Sequence, residues 1–186
     1  DFYSGVSAAS TSGDITVYGG DYAKVSSTSG NLEVAGVRGP AVVESTSGKI
    51  SIYDDYGKTE VHTTSGDIEI QDGGGSLQAS SISGHIVLKS YNRSDTISFS
   101  TTSGDIAASL HDENAAYDPV HPYLKHFSAT TISGQVDLPL PAEPNASLEL
   151  RSQAGAINCD LPLENKETKR GYLSGTLGDP SGSINL

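Results

Sequence analysis

The pentapeptide Thr-Ser-Gly-Asp-Ile stands at residues 11–15 and returns unchanged at residues 64–68 and 102–106. Close variants and two degenerate copies continue the series at residues 28–32, 46–50, 82–86, 132–136, 154–157 and 181–184. The glycines of neighbouring copies are about 18 residues apart, except for two longer intervals that contain insertions. A period of this length is typical of a repeat architecture, in which each repeat packs only against its neighbours.

The residues on either side of each glycine alternate between apolar and polar, as expected for two half-buried strands per repeat. Apolar residues recur two and four positions after the glycine, and again five and seven positions before it. The column two positions after the glycine reads Ile15, Leu32, Ile50, Ile68, Ile86, Ile106, Val136, Ile157 and Ile184. Neither a left-handed hexapeptide helix nor a calcium β-roll has these spacings and turns. We therefore predict an all-β protein, a right-handed parallel β-helix (β-solenoid) of about nine turns of about 18 residues.

The Ser-Gly pair of each repeat is predicted to form a structural corner. Glycine permits a positive φ in a tight turn, and stacked hydroxyl groups can form hydrogen bonds between turns. A row of ligand-binding hydroxyl groups is the alternative interpretation of the same residues. The corner residues are Ser12, Gly13, Ser29, Gly30, Ser47, Gly48, Ser65, Gly66, Ser83, Gly84, Ser103, Gly104, Ser133 and Gly134.

The repeated Thr-Ser-Gly-Asp-Ile units, each followed by an alternating strand, resemble a family of adhesin-like β-strand-repeat domains. That family is a domain of unknown function in bacterial envelope proteins, with relatives in fungal surface proteins. The resemblance is close over residues 6–138 and loose over residues 139–186. It implies a right-handed β-helix at or outside the cell surface, and it brings no catalytic motif and no site residues to this chain.

The composition indicates one acidic domain that covers residues 1–186. The chain has 11 Lys and Arg residues against 23 Asp and Glu residues, which gives a formal net charge of −12. Nucleic acid is a poor partner for such a chain, because phosphate binding needs a clustered basic face. The apolar runs are too short to span a membrane, so no membrane span is predicted.

The largest departure from the repeat is an inserted loop at residues 111–126, which holds three of the five His residues. Loops on rigid scaffolds often carry function, and imidazole together with carboxylate suits zinc or a similar ion. The His spacing matches no standard metal signature, so a solvated cover over a strand end is the favoured interpretation. The two Tyr residues either form a sugar-stacking platform or pack the loop down. The candidate ligand or metal residues are His111, Asp112, Glu113, Tyr117, Asp118, His121, Tyr123 and His126.

Acidic residues on neighbouring predicted turns offer a second candidate site. Asp54, Asp55 and Asp72 could gather on one edge of the coil, where their oxygens would converge on Ca²⁺. A solvated acidic face is the favoured interpretation of these residues. No cofactor is therefore firmly predicted, and binding of Ca²⁺ or Zn²⁺ is left open.

Residues for catalysis do not converge in this sequence, and no catalytic residue is predicted. Arg38, Arg93 and Arg151 fall on different turns, with no acidic partner that the repeat places beside them. Cys159 lies in a core column and is interpreted as a small buried apolar side chain. Asn92 and Asn145 begin Asn-x-Ser sequences in predicted turns, where a eukaryotic secretory pathway could glycosylate them.

The C-terminal part leaves the repeat in an irregular excursion at residues 161–172. We predict that the last turn presents an open sheet edge, through which the chain could associate with another copy. The favoured function is a non-catalytic β-solenoid, extracellular or on the cell surface, that serves as an adhesion, surface or scaffold module for a glycan or another surface protein. One alternative is a carbohydrate-active enzyme, a polysaccharide lyase or hydrolase, with its site around residues 111–126. The other is a divalent-cation-binding module.

Overall fold

A computed structural model describes residues 4–109, 124–139 and 146–177. Each turn contributes one strand to each of two parallel sheets. Sheet A contains β1 (Gly5–Ser10), β3 (Tyr22–Ser29), β5 (Ala41–Ser47), β7 (Thr59–Thr63), β9 (Gly73–Ser81), β11 (Tyr91–Thr101), β13 (His126–Thr131) and β15 (Ala146–Ser152). Sheet B contains β2 (Ile15–Gly20), β4 (Leu32–Val37), β6 (Ile50–Tyr53), β8 (Ile68–Gln71), β10 (Ile86–Leu88), β12 (Ile106–Ala108), β14 (Val136–Leu138) and β16 (Ile157–Cys159). Two further strands, β17 (Glu164–Lys169) and β18 (Tyr172–Leu177), extend sheet A. Among the described residues, no helix is long and apolar enough to cross a membrane.

The apolar columns stack in register from one turn to the next. Ile50 pairs with Leu32 of the preceding turn and with Ile68 of the following turn. These three side chains are fully buried, whereas Ile15 and Ile157, at the two ends of the same column, are only partly buried. The all-β solenoid is thus confirmed. Its core is one continuous stack of apolar side chains. Each turn needs its neighbours for this, because a single turn cannot bury its own apolar face.

The described residues contain fewer turns than the nine predicted. Eight strand pairs form the coil there, and the chain makes seven complete circuits between β1 and β15. After β16 the described part of the chain does not continue as a parallel turn, because β18 pairs with β15 in the antiparallel direction. A Gly at a positive φ favours such a hairpin, and Gly171 (φ 71°) lies in the two-residue turn between β17 and β18. The segment predicted as an irregular excursion, 161–172, therefore contains one strand of an antiparallel hairpin.

The corner glycines are required by close stacking more than by an unusual backbone conformation. Gly48 is the one corner glycine among Gly13, Gly30, Gly48, Gly66 and Gly84 that has a positive φ. A Cβ atom on Gly84 would collide with the carbonyl oxygen of Gly66, and a Cβ on Gly66 would collide with that of Gly48. The positive φ that glycine permits is thus used at Gly48 alone among these five. At Gly66 and Gly84, the carbonyl group of the preceding turn occupies the space that a Cβ atom would need.

Candidate functional site

Most of the candidate residues in the inserted loop cannot be placed. His111, Asp112, Glu113, Tyr117, Asp118, His121 and Tyr123 lie outside the described residues, as does Asn145. His126 is described, and it is the first residue of β13, with its side chain exposed on the outer face of sheet A. The inserted loop therefore ends at His126, on the outer face of sheet A.

His126 is paired with a serine of the next turn. Its ring atom Nδ1 lies 2.6 Å from Ser147 Oγ, and that hydroxyl also donates to the carbonyl oxygen of Lys125 at 3.2 Å. A hydroxyl group has one proton, so Ser147 donates either to the Lys125 carbonyl oxygen or to the ring, and the tautomer of His126 decides which. In both cases the pair orients the imidazole on the outer face of sheet A.

An open depression surrounds this pair, and we call it the hydroxyl pocket. Its volume is about 240 Å³, and it crosses four neighbouring strands, β11, β13, β15 and β18. Most of its polar lining consists of outward-facing hydroxyl groups, joined by one imidazole, one carboxylate and one phenol ring. The polar side chains that line it are Thr96, Ser98, His126, Ser128, Ser147, Glu149, Tyr172 and Ser174.

A second depression adjoins the first and shares Tyr172 with it. This depression, which we call the cationic pocket, has a volume of about 390 Å³ and is lined in part by Thr130, Ile132, Arg151, Lys169 and Tyr172. The guanidinium carbon of Arg151 lies 5.2 Å from the centre of the Tyr172 ring, within cation–π distance. The two pockets together form one outer groove at the C-terminal end of sheet A.

The charged groups of the groove are held by exposed ion pairs. Arg151 Nε donates to Glu149 Oε1 at 2.9 Å, and Lys169 pairs with Glu167. These hydrogen bonds raise the pKa of Arg151 and the pKa of Lys169 above their ordinary values. The repeat pattern alone placed no acidic partner beside Arg151, whereas the structure pairs it with Glu149. Glu149 stands two residues earlier on the same strand, so the alternation of β15 contained the signal.

Several hydroxyl groups at the corners of the coil are hydrogen-bonded to the backbone. Ser81 Oγ accepts a hydrogen bond from the Gly84 amide at 2.8 Å and donates to the Gly66 carbonyl oxygen at 3.3 Å. Four corner serines donate across turns to a backbone carbonyl oxygen at 3.2–3.3 Å, namely Ser29, Ser47, Ser103 and Ser133. These bonds support the corner as architecture, because each ties one turn to the preceding one.

The residue after each corner glycine forms a second ladder. Asp14 Oδ1 accepts from the backbone amide of Asn31 at 2.7 Å, and Asp67 Oδ1 accepts from that of His85 at 2.9 Å. Lys49 occupies the same position between them and has no acceptor to offer. The recurring Asp of the pentapeptide therefore has a structural function that the sequence alone did not indicate.

The three acidic residues of the predicted edge do not gather into one cluster among the described residues. Asp54 and Asp72 both have a left-handed backbone, with φ of 50° and 54°, and Asp72 Oδ1 is bonded to Ser90. Asp55 points the other way, into the corner of the coil, where it is fully buried. No cluster of three or more His, Cys, Asp or Glu residues that could hold a metal ion occurs within the described ranges.

Asp55 is the buried carboxyl group of the described core. Its Oδ1 accepts from the Val37 amide at 3.0 Å, and its Oδ2 lies 3.5 Å from the Thr59 hydroxyl. Burial raises its pKa to about 6, which the hydrogen bonds from Val37 and Thr59 only partly oppose. Keeping the Asp55 carboxyl group ionised at neutral pH therefore costs desolvation free energy.

Two further residues differ from their sequence expectations. Asn92 was predicted to lie in a turn, but it lies within β11, where the pairing with β9 shifts register between Tyr91 and Ser94. The shift absorbs the extra residues of that turn without ending the strand. Cys159 is half-buried rather than fully buried, because β16 is the outermost strand of sheet B.

The fold and the groove define a parallel β-solenoid domain with an open polar groove on one face. Comparison with known families matches residues 3–119 to the family described as Toastrack DUF4097. The chain belongs to this family, a domain of unknown function. No curated protein and no solved structure matches the chain in the corresponding comparisons.

Proposed function

We propose that the protein is a non-catalytic adhesion or surface module, extracellular or on the cell surface, that binds glycans in the outer groove of sheet A. The observation that most supports this proposal is the composition of the groove. One aromatic ring, several hydroxyl groups and a few charged side chains lie on a single face. Sugars need this combination, because each ring has an apolar C–H face and a rim of hydroxyl groups.

The position of the groove on paired strands also favours binding. His126 and Ser147 are hydrogen-bonded partners on adjacent strands, and Arg151 is paired in register with Tyr172. Side chains on such a framework lose little freedom when a ligand binds, which lowers the entropic cost of association. The resemblance to adhesin-like repeat domains is in accord with this role.

A glycan panel tests the proposal. The whole chain is screened against immobilised neutral and acidic oligosaccharides, and the strongest ligand is then titrated by calorimetry. We expect Tyr172→Ala to weaken binding about fivefold or more, because the lost stacking surface is worth about 1 kcal/mol or more. Tyr56→Ala is the matched control, since Tyr56 is 55% exposed and lies outside the groove. Failure to bind any glycan, or equal loss in both variants, would contradict the proposal.

A further inference from the structure

The C-terminal end of sheet A has balanced charge in a chain whose net charge is −12. The segment 149–172 carries four of the 11 Lys and Arg residues and four of the 23 Asp and Glu residues. Two of these cations, Arg151 and Lys169, line the cationic pocket together with Tyr172. Lys and Arg residues are thus more frequent beside the groove than in the rest of the chain, where acidic residues outnumber them.

The ion pairs in this pocket are easily exchanged. The Arg151 and Glu149 side chains are 58% and 45% exposed, and those of Lys169 and Glu167 are 69% and 52% exposed. Ion pairs with this exposure contribute little to stability, so a ligand carboxylate can replace either glutamate at little cost. The guanidinium group is well suited to this exchange, because its planar fork binds a carboxylate through two parallel hydrogen bonds.

The rest of the pocket matches a sugar ring. Thr130 and Gln153 supply polar side chains, whereas Ile132, which is 45% exposed, and Tyr172 supply apolar surface. The volume of about 390 Å³ is within the range of about 300–1,000 Å³ that is typical of small-molecule sites. The pocket therefore combines a carboxylate-binding pair of cations with surfaces for the sugar itself.

Resting on the proposed function, we propose that the cationic pocket selects glycans that carry a carboxylate, namely those with uronic or sialic acid residues. Arg151 binds the carboxylate, Lys169 adds a second positive charge, and Tyr172 contacts the ring. The neighbouring hydroxyl pocket accommodates the next residue of the glycan. Neutral glycans bind more weakly, because they leave both cations paired only with their own glutamates.

The experiment compares each acidic sugar with its own methyl ester. Trigalacturonate and 3′-sialyllactose are titrated into the whole chain beside their methyl esters, which keep the sugar framework and remove the charge. We expect at least one of the two acids to bind about tenfold more tightly than its ester, and this preference to be lost in Arg151→Gln and reduced in Lys169→Gln. The two acids distinguish a uronate from a sialate as the ligand.

Matched variants control for the change in net charge. Lys58→Gln removes a cation that is also exposed and is paired with Glu60, directly before β7 of the same sheet, and Arg38→Gln removes an exposed arginine elsewhere. Both variants are expected to keep the preference for the acid. Equal binding of acid and ester would overturn the selectivity and leave the proposed glycan function standing. Loss of the preference in Lys58→Gln and Arg38→Gln would overturn the assignment to this pocket, as would binding of neither acid.

Discussion

Asp55 shows how a single side chain gives this fold a dependence on pH. Its pKa of about 6 in the folded protein lies above the ordinary value of 3.8. The group therefore stabilises the fold fully below pH 3.8, and this contribution is lost as the pH rises through about 6. The difference corresponds to about 3 kcal/mol. We expect Asp55→Asn to be more stable than the native chain by up to about 3 kcal/mol at pH 8, with little difference at pH 4.

Urea unfolding at a series of pH values measures this effect. Asparagine keeps the size of the side chain and an acceptor for the Val37 amide, so the variant removes mainly the buried charge. Asp54→Asn makes the same chemical change at the exposed neighbour, whose left-handed backbone asparagine tolerates. A stability difference between Asp55→Asn and the native chain that does not vary with pH would contradict the assignment.

At the scale of the repeat element, stacking of the corner glycines predicts a position-dependent effect. Gly84→Ala places a Cβ against the Gly66 carbonyl group, whereas Gly13→Ala, in the first turn, places it 3.2 Å from the Ser10 hydroxyl. We expect Gly84→Ala to lower the free energy of unfolding by about 2 kcal/mol or more, and Gly13→Ala by clearly less. Thermal unfolding of both variants measures the difference. Equal loss would mean that the intrinsic backbone preference of glycine, and not the close stacking, explains the motif.

The hairpin shows where prediction from the sequence ends. The sequence predicted the parallel turns because each core column has a fixed place relative to the corner glycine. In the last repeat, Gly175 is paired with Leu148, as a parallel turn would also require, but Leu173 and not Leu177 is paired with Leu150. An alternating pattern has a period of two in both directions, so it does not distinguish a parallel from an antiparallel strand.

The same reversal explains why the candidate site was not predicted. In a parallel ninth turn, the residue beside Arg151 would have been residue 178, whereas the antiparallel strand places Tyr172 there. The outward direction of Arg151 and Glu149 followed from the alternation of β15. Their combination with Tyr172 and Lys169 depends on the hairpin, which carries no repeat signal. The scaffold and the inserted loop can therefore be predicted from the sequence, whereas the groove beside them cannot.

Across the whole molecule, the one-dimensional stacking of turns makes stability depend on position along the coil. Each central turn is covered on both sides, and the two ends differ in how they are covered. The six residues of β17, the outermost described strand of sheet A, are all exposed and include two Glu and two Lys residues. The first turn has no strand before β1 and β2 among the described residues, and its core residues Val6 and Ile15 are only partly buried.

This arrangement predicts that one chemical change acts differently in different turns. Val43→Ala and Val6→Ala each remove two methyl groups, from a fully buried site in β5 and from a partly buried site in β1. We expect Val43→Ala to cost about 2 kcal/mol and to speed hydrogen exchange on both sides of β5, because both neighbouring turns lose packing. Val6→Ala should cost about 1 kcal/mol or less and change exchange mainly in β1 and β2. Native-state hydrogen exchange, followed peptide by peptide, measures both effects. If both variants speed exchange equally along the whole coil, the protein unfolds as a single cooperative unit. That result would contradict coupling that is limited to neighbouring turns.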